Sequence, residues 1–236
     1  MARIIREEDY LKKRNEILDT AQSLLYTKGY ESMAIQDILN DLKISSGAFY
    51  HYFESKPALL EALIERMMQE AEQQLLPIVH DVHLSAMEKL QCYFGTLDRL
   101  KTVQKSLLLG MMRGWYSDNN AIVRQKMDEA TIKRRTPLLA LIVSEGVQEG
   151  VFSVSYPSKA TEVMLSLSIS MGNAFARLML SSQAEEDKHC CIDNIVATNS
   201  AYMDAIERLL RAPTRFLNRL DARAVREWLD SEDAKK

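Results

Sequence analysis

The sequence predicts an all-α protein. Apolar residues recur at helical spacing along almost the whole chain, as at Ile17, Ala21, Leu24 and Leu25, the pattern of one buried helix face. Turn-forming residues are scarce, with 8 Gly and 5 Pro in 236 residues, which disfavours turn-dense β architectures. The longest strand-like run is Val151-Phe152-Ser153-Val154, too short to build a sheet.

The first helix carries Lys13, Arg14, Glu16, Asp19 and Gln22 on its polar faces and should stop near Lys28-Gly29, because Gly supplies a left-handed C-cap without steric cost. A short amphipathic piece follows, Ile35-x-x-Ile38-Leu39-x-x-Leu42. After Lys43-Ile44, Ser45-Ser46-Gly47 reads as a helix start, leading into Phe49-Tyr50-His51-Tyr52-Phe53. Ser55 is the expected N-cap of the next helix, with Lys56-Pro57 in its first turn, where the missing proline N–H costs nothing. Leu59, Leu60, Leu63, Ile64, Met67, Met68, Ala71 and Leu75 then continue an amphipathic helix that should end at Pro77. Further helices are predicted over about 85–103, 105–116, 120–150, 158–184, 190–211 and 214–230. They are separated by Tyr116 to Asn120, Gly150 to Pro157, the charge run Glu185 to Lys188, and Pro213.

Three short helices within the first fifty-five residues, two joined by a tight turn over about 34–53, describe a helix-turn-helix unit. The second helix of such a pair lies in the major groove and meets base edges with its N-terminal residues. The chemistry at 45–52 suits that task. Ser45 and Ser46 offer short hydroxyls, Gly47 and Ala48 permit close approach, and Tyr50, His51 and Tyr52 carry long polar tips. Phe49 and Phe53 should anchor the inner face, while Lys43 and Lys56 bring cations. Ala34 and Gln36, at the start of the preceding helix, complete the expected DNA-facing set.

The spaced residues Ala21, Leu25, Gly29-Tyr30, Ile35, Ile38, Ile44-Ser45-x-Gly47-x-x-Tyr50-x-Tyr52-Phe53-x-x-Lys56-x-x-Leu59 resemble the N-terminal domain of TetR-type transcriptional regulators over roughly residues 10–62. The resemblance implies a DNA-binding domain at 1–56 and a ligand-binding and dimerisation bundle at 57–236. It implies a homodimer on a double-stranded palindromic operator, released by a small-molecule effector and therefore a repressor. Two positions depart from the family pattern. Met33 stands where Thr usually caps the second helix, so Ser32 is expected to move the cap one residue earlier, with Gln36 keeping part of a capping-box pattern. Lys43 stands where the turn usually has Gly, which makes a left-handed turn more costly.

Residues 163–180 are apolar on nearly every side, so this helix should be covered on both faces. Ser168, Gly172 and Ala176 would let a second helix approach. The resemblance implies a four-helix dimer interface from about 158–184 and 190–211 of each subunit. Tyr93, Phe94, Met111, Met112, Trp115, Tyr116, Met164, Met171 and Phe175 form the candidate effector pocket, since aromatic and Met side chains line adaptable apolar cavities. Gly110 and Gly114 weaken the intervening helix, as suits a segment that moves.

Other classes draw less support. The N-terminus has no uninterrupted apolar run, so no signal peptide is predicted. The 163–180 helix is broken by Ser166, Ser168, Ser170, Asn173 and Arg177, so a soluble helix is expected rather than a membrane span. Three Cys fit a reduced, cytoplasmic compartment. Gly-rich phosphate loops, nucleophile elbows and HExxH patterns are missing, so neither enzyme activity nor a cofactor is expected. His80, His83, His189, Cys190 and Cys191 leave a metal- or redox-sensing regulator as one alternative, and a helical adaptor that never touches DNA as another. The net charge of −3 argues mildly against nucleic acid. Residues 1–56 hold 8 Lys+Arg and 9 Asp+Glu, yet no acidic residue lies between Ile44 and Phe53.

Overall fold

A computed structural model of the chain describes residues 2–103, 112, 114–181 and 185–230. Among these the regular elements are helical: α1 (Ala2–Lys28), α2 (Ile35–Leu42), α3 (Ser46–Tyr50), α4 (Lys56–Val79), α5 (Ala86–Val103), α6 (Ala121–Gln148), α7 (Pro157–Ser181), α8 (Glu185–Leu210) and α9 (Ala222–Asp230). A single 3-10 turn, Asp118–Asn120, precedes α6. Met112, Gly114 and Trp115 are also helical. Residues 105–111 and 113 of the predicted 105–116 helix, Gly110 and Met111 among them, lie outside the described residues.

The helices pack as two compact units. The first joins Met1–Gln69 to Met111–Met127, and the second joins Glu70–Gly110 to Asp128–Lys236. In the first unit Ile17, Leu18, Ala21 and Leu25 of α1, Ile38 of α2, Phe49 of α3 and Leu59 of α4 are buried almost completely. The second unit centres on Leu75, Leu90, Tyr93, Leu139, Ile142, Met164 and Ile206, with Phe152 and Phe216 closing the core.

Several ends follow the predicted caps. Gly29 takes φ 80° and returns its N–H to the Leu25 carbonyl at 3.1 Å, a left-handed stop for α1. The Ser45 hydroxyl accepts the Ala48 N–H at 3.2 Å, and the Ser55 hydroxyl accepts the Ala58 N–H at 3.1 Å.

Elsewhere the structure differs. Helix α1 begins at Ala2, well before its apolar stripe, on a segment whose sequence carries no helical apolar periodicity to announce it. Helix α4 continues past Pro77 to Val79; Gln73, whose carbonyl loses its partner, is solvent-exposed, so water can take that bond. The predicted 214–230 helix is only α9, at 222–230. Residues before it form an irregular turn, because the carboxylate of Glu207, 3% exposed, accepts the N–H of Arg215 at 2.9 Å and that of Leu217 at 3.0 Å. Arg219 completes the knot at 2.8 Å from Glu207 and 2.7 Å from Asp204. Burial would raise the Glu207 carboxyl, but the Arg219 guanidinium and the two backbone donors more than offset it and hold it below the usual range.

Helix α7 receives its expected cover only in part from its own chain. It packs along α8, yet only 22% of its most apolar window is buried within the chain. Among the described residues it is the one helix long and apolar enough to cross a membrane.

Candidate nucleic-acid interface

The turn between α2 and α3 is set by backbone geometry. Lys43 adopts φ 52°, ψ 44°, and the flanking bonds run from Ile44 N–H to the Leu39 carbonyl at 3.1 Å and from Lys43 N–H to the Asn40 carbonyl at 3.4 Å. These two bonds make a Schellman motif, in a position where a side chain is costly. The Lys43 side chain is exposed.

Helix α2 is capped differently from the expectation. Its N-cap is Ala34, whose N–H donates to the Asp37 carboxylate at 2.9 Å. Ser32 and Gln36 form no capping box: the Ser32 hydroxyl accepts from Asn119 at 3.3 Å, and the Gln36 amide donates to Asn40 at 2.9 Å. The Lys28 ammonium sits 2.7 Å from Asp37. That contact, with the Ala34 N–H, holds the Asp37 carboxyl below its ordinary range. A carboxylate at a helix N-terminus is favourable for the helix, and Lys28 balances the charge it would show to a phosphate.

Helix α3 presents one continuous outer surface. Ser45, Ser46, Gly47, Tyr50 and His51 are exposed, while Ala48 and Tyr52 are half-buried. A Cβ added at Gly47 would meet only the Ser45 hydroxyl, at 4.0 Å, so the surface there is open. Tyr50 is 51% exposed and stands edge-on to the buried Phe49, ring centroids 5.4 Å apart. The inner face is Phe49 against Phe53 at 6.0 Å, with the Arg14 guanidinium 5.1 Å over the Phe53 ring.

Tyr10, which the sequence did not single out, packs against Tyr52 at 4.8 Å and edge-on to His51 at 5.7 Å. It ties the first half of α1 to the end of α3. Lys56 lies 4.5 Å over the Tyr30 ring and donates to the Glu31 carbonyl at 3.3 Å, so the first unit already engages this cation. Burial, then the neighbouring Glu31, raise the Tyr30 phenol pKa.

The candidate pocket residues fall in both units. Tyr93 and Phe94 meet edge-on at 5.7 Å, and with Met164, Met171 and Phe175 they belong to the second unit's core. Trp115 instead lies 6.1 Å from Tyr26 and, with Met112, belongs to the first unit; Met111 is outside the described residues. The Tyr93 hydroxyl and the Thr136 hydroxyl are buried and make no hydrogen bond among the described residues. Burial pushes the Tyr93 phenol up to about 12, with the Arg135 guanidinium pulling the other way.

Of the candidate dimer residues, Ala176 is buried within its own chain. Gly172 opens onto empty space, and Ser168 folds its hydroxyl back to the Met164 carbonyl at 2.9 Å. His80 and His83 stand in the turn after α4 rather than on a helix face, and His189 and Cys190 are exposed. Cys191 is buried, its thiol 3.5 Å from the Leu178 carbonyl. Among the described residues no group of three His, Cys, Asp or Glu side chains could hold a metal ion.

Two stretches of the chain match known protein families. Residues 17–63 match the family model of bacterial regulatory proteins of the tetR family, and residues 112–174 match that of the tetracyclin repressor-like C-terminal domain. The HTH-type transcriptional repressor NemR of Escherichia coli K12 is 24% identical over 191 residues, 78% of this chain and 94% of that protein. An uncharacterised HTH-type regulator of Bacillus subtilis, YuxN, is 47% identical over 53 residues, 22% of this chain and 18% of its own. The fold matches that of reduced E. coli NemR with TM-score 0.50 at 22% identity, covering 79% of this chain and 98% of that one. It also matches that of PfmR from Thermus thermophilus, with TM-score 0.50 at 22% identity, covering 84% and 99%. Matched by both family models and carrying a helix-turn-helix built around Lys43, the chain belongs to the TetR family of DNA-binding transcriptional regulators.

Proposed function

We propose that the chain is an effector-responsive repressor that binds a palindromic operator as a homodimer in the cytoplasm. Residues 1–56 read the DNA, and the remainder binds effector and dimerises. The observation that carries this reading is the outer surface of α3, which is exposed and free of acidic residues from Ile44 to Phe53. In this reading Tyr50 and Lys56 meet phosphates with Lys43 as a further cation, and Ser46, Ala48 and His51 meet base edges, with Ala34, Gln36, Ser45, Gly47 and Tyr52 around them. Dimerisation sets two α3 helices about 34 Å apart, one turn of DNA.

The uncovered apolar face of α7 supports the dimer. The hydroxyls of Ser166 and Ser168 bond back to the Glu162 and Met164 carbonyls, each at 2.9 Å, so they lose little when water is excluded. A second copy of α7 and α8 is the natural cover.

The effector is a small, largely apolar molecule held in the second unit by Tyr93, Phe94, Met164, Met171 and Phe175. The buried Tyr93 hydroxyl is a donor such a molecule can satisfy. To release DNA, the effector binds the DNA-incompetent state more tightly, acting through α4. Sedimentation and a salt titration on duplex DNA test the reading: a dimer whose affinity falls steeply with salt is expected. A monomer with no salt-dependent binding would instead favour a helical adaptor. Selection of binding sites with Ser46, Ala48 and His51 all altered should change the preferred sequence; an unchanged preference removes them as base readers.

A further inference from the structure

A buried asparagine ties the reader to a segment far along the chain, and none of the DNA contacts above uses it. Asn120 is 0% exposed. Its amide donates to the Leu25 carbonyl at 3.1 Å and the Gly114 carbonyl at 2.9 Å, and its carbonyl accepts the Tyr30 N–H at 2.7 Å. Both arms of the side chain are thus engaged, and hydrogen bonds of this kind fix direction as well as distance.

The surrounding contacts repeat the constraint. The Asn119 carbonyl accepts the Glu31 N–H at 3.1 Å, and its amide reaches the Ser32 hydroxyl. Gly29 comes so near that an added Cβ would lie 2.7 Å from that of Asn119, and one on Gly114 would overlap the Tyr26 carbonyl oxygen. Met33 is buried and bonds back to the Gly29 carbonyl at 3.0 Å. Residues 29–33 are therefore clamped between the end of α1 and residues 114–120, immediately before the Ala34 cap of α2. An apolar residue at 120 could fill the same volume but could not set an angle.

We propose that Asn120 is a positioning residue for operator recognition. It fixes the pose of α2 and α3 on residues 114–127, and with it the half-site spacing the dimer accepts. This rests on the dimeric DNA-binding reading above. A dimer tolerates little error in head orientation, because both heads must meet their half-sites at one fixed separation.

The test uses the full chain and three duplexes: the palindrome obtained by selection with wild type, the same palindrome with one base pair inserted between half-sites, and a single half-site. Wild type should prefer the native spacing by about tenfold or more. Asn120→Ala should lose most of that discrimination while retaining its half-site affinity and salt slope. An equal loss on all three duplexes, or discrimination like that of wild type, overturns the proposal. If Asn120→Ala does not fold, Gly29→Ala strains the same joint with the amide in place, and undiminished discrimination there overturns it equally. Should wild type select no sequence, or show no spacing preference, the dimeric reading itself fails and the proposal falls with it.

Discussion

The N–H of Ile44 reaches back to the Leu39 carbonyl at 3.1 Å, and the turn it closes sets Lys43 at φ 52°. A non-glycine residue there costs about 1 kcal/mol. Lys43→Gly should therefore raise stability by roughly that amount in thermal or urea unfolding. It should also weaken operator binding and make the salt slope shallower, because a cation beside the DNA is lost. Stability and affinity moving in opposite directions would separate the two roles of this position; a parallel change would deny Lys43 a phosphate contact.

Tyr50 is the more exposed of the tyrosines on the reader, and Lys56 is held by Tyr30 and Glu31. Tyr50→Ala should cost more affinity than Lys56→Ala, while Lys56→Ala should also lower the melting temperature. Fluorescence anisotropy on the selected duplex, beside thermal melts, checks both. Wild-type binding by both variants at every salt concentration would show that the assignment of this face is wrong.

Glu207 organises the turn between α8 and α9. Glu207→Ala breaks a buried ion pair and frees two backbone donors, which should cost about 3–5 kcal/mol in unfolding free energy. The pH dependence has a definite sign. Because the folded carboxyl lies below its ordinary range, its contribution is fully present above the unfolded carboxylate pKa. It is lost as pH falls through the folded value. Acid titration of stability in wild type and Glu207→Gln should show the difference narrowing toward low pH.

The Tyr93 hydroxyl is buried, with the Arg135 guanidinium acting on it against the effect of burial. Tyr93→Phe should leave stability unchanged or raise it by about 1 kcal/mol, while weakening an effector that accepts a hydrogen bond there. Calorimetric melts of the free protein, and effector-induced release of DNA, read the two effects separately. A clear loss of stability would mean that the hydroxyl has a partner in the folded protein.

The reader is largely legible because its signals are local. Gly29, Ser45 and Ser55 stop or start helices through their own backbone and side-chain chemistry, and the spacing from Ile44 to Leu59 encodes the turn. What escapes depends on distant partners. Tyr10 sits on a stretch of α1 without an apolar stripe, so periodicity cannot place it against His51 and Tyr52. Asn119-Asn120 reads as a separator in sequence, since asparagine favours turns, and only the fold brings it to Leu25 and Tyr30. Asp37, rather than Ser32 with Gln36, caps α2 because it lies three residues beyond the true N-cap. Trp115 packs against Tyr26 of α1, a partner far back along the chain that periodicity does not name.

The central claim is that two copies of α3 read two half-sites on one face of DNA. Hydroxyl-radical footprinting of the full chain on its selected duplex tests it most directly. Two protected stretches are expected, about one helical turn apart from centre to centre, both lost in Tyr50→Ala at moderate salt. A single protected stretch, or uniform protection along the duplex, would contradict the account.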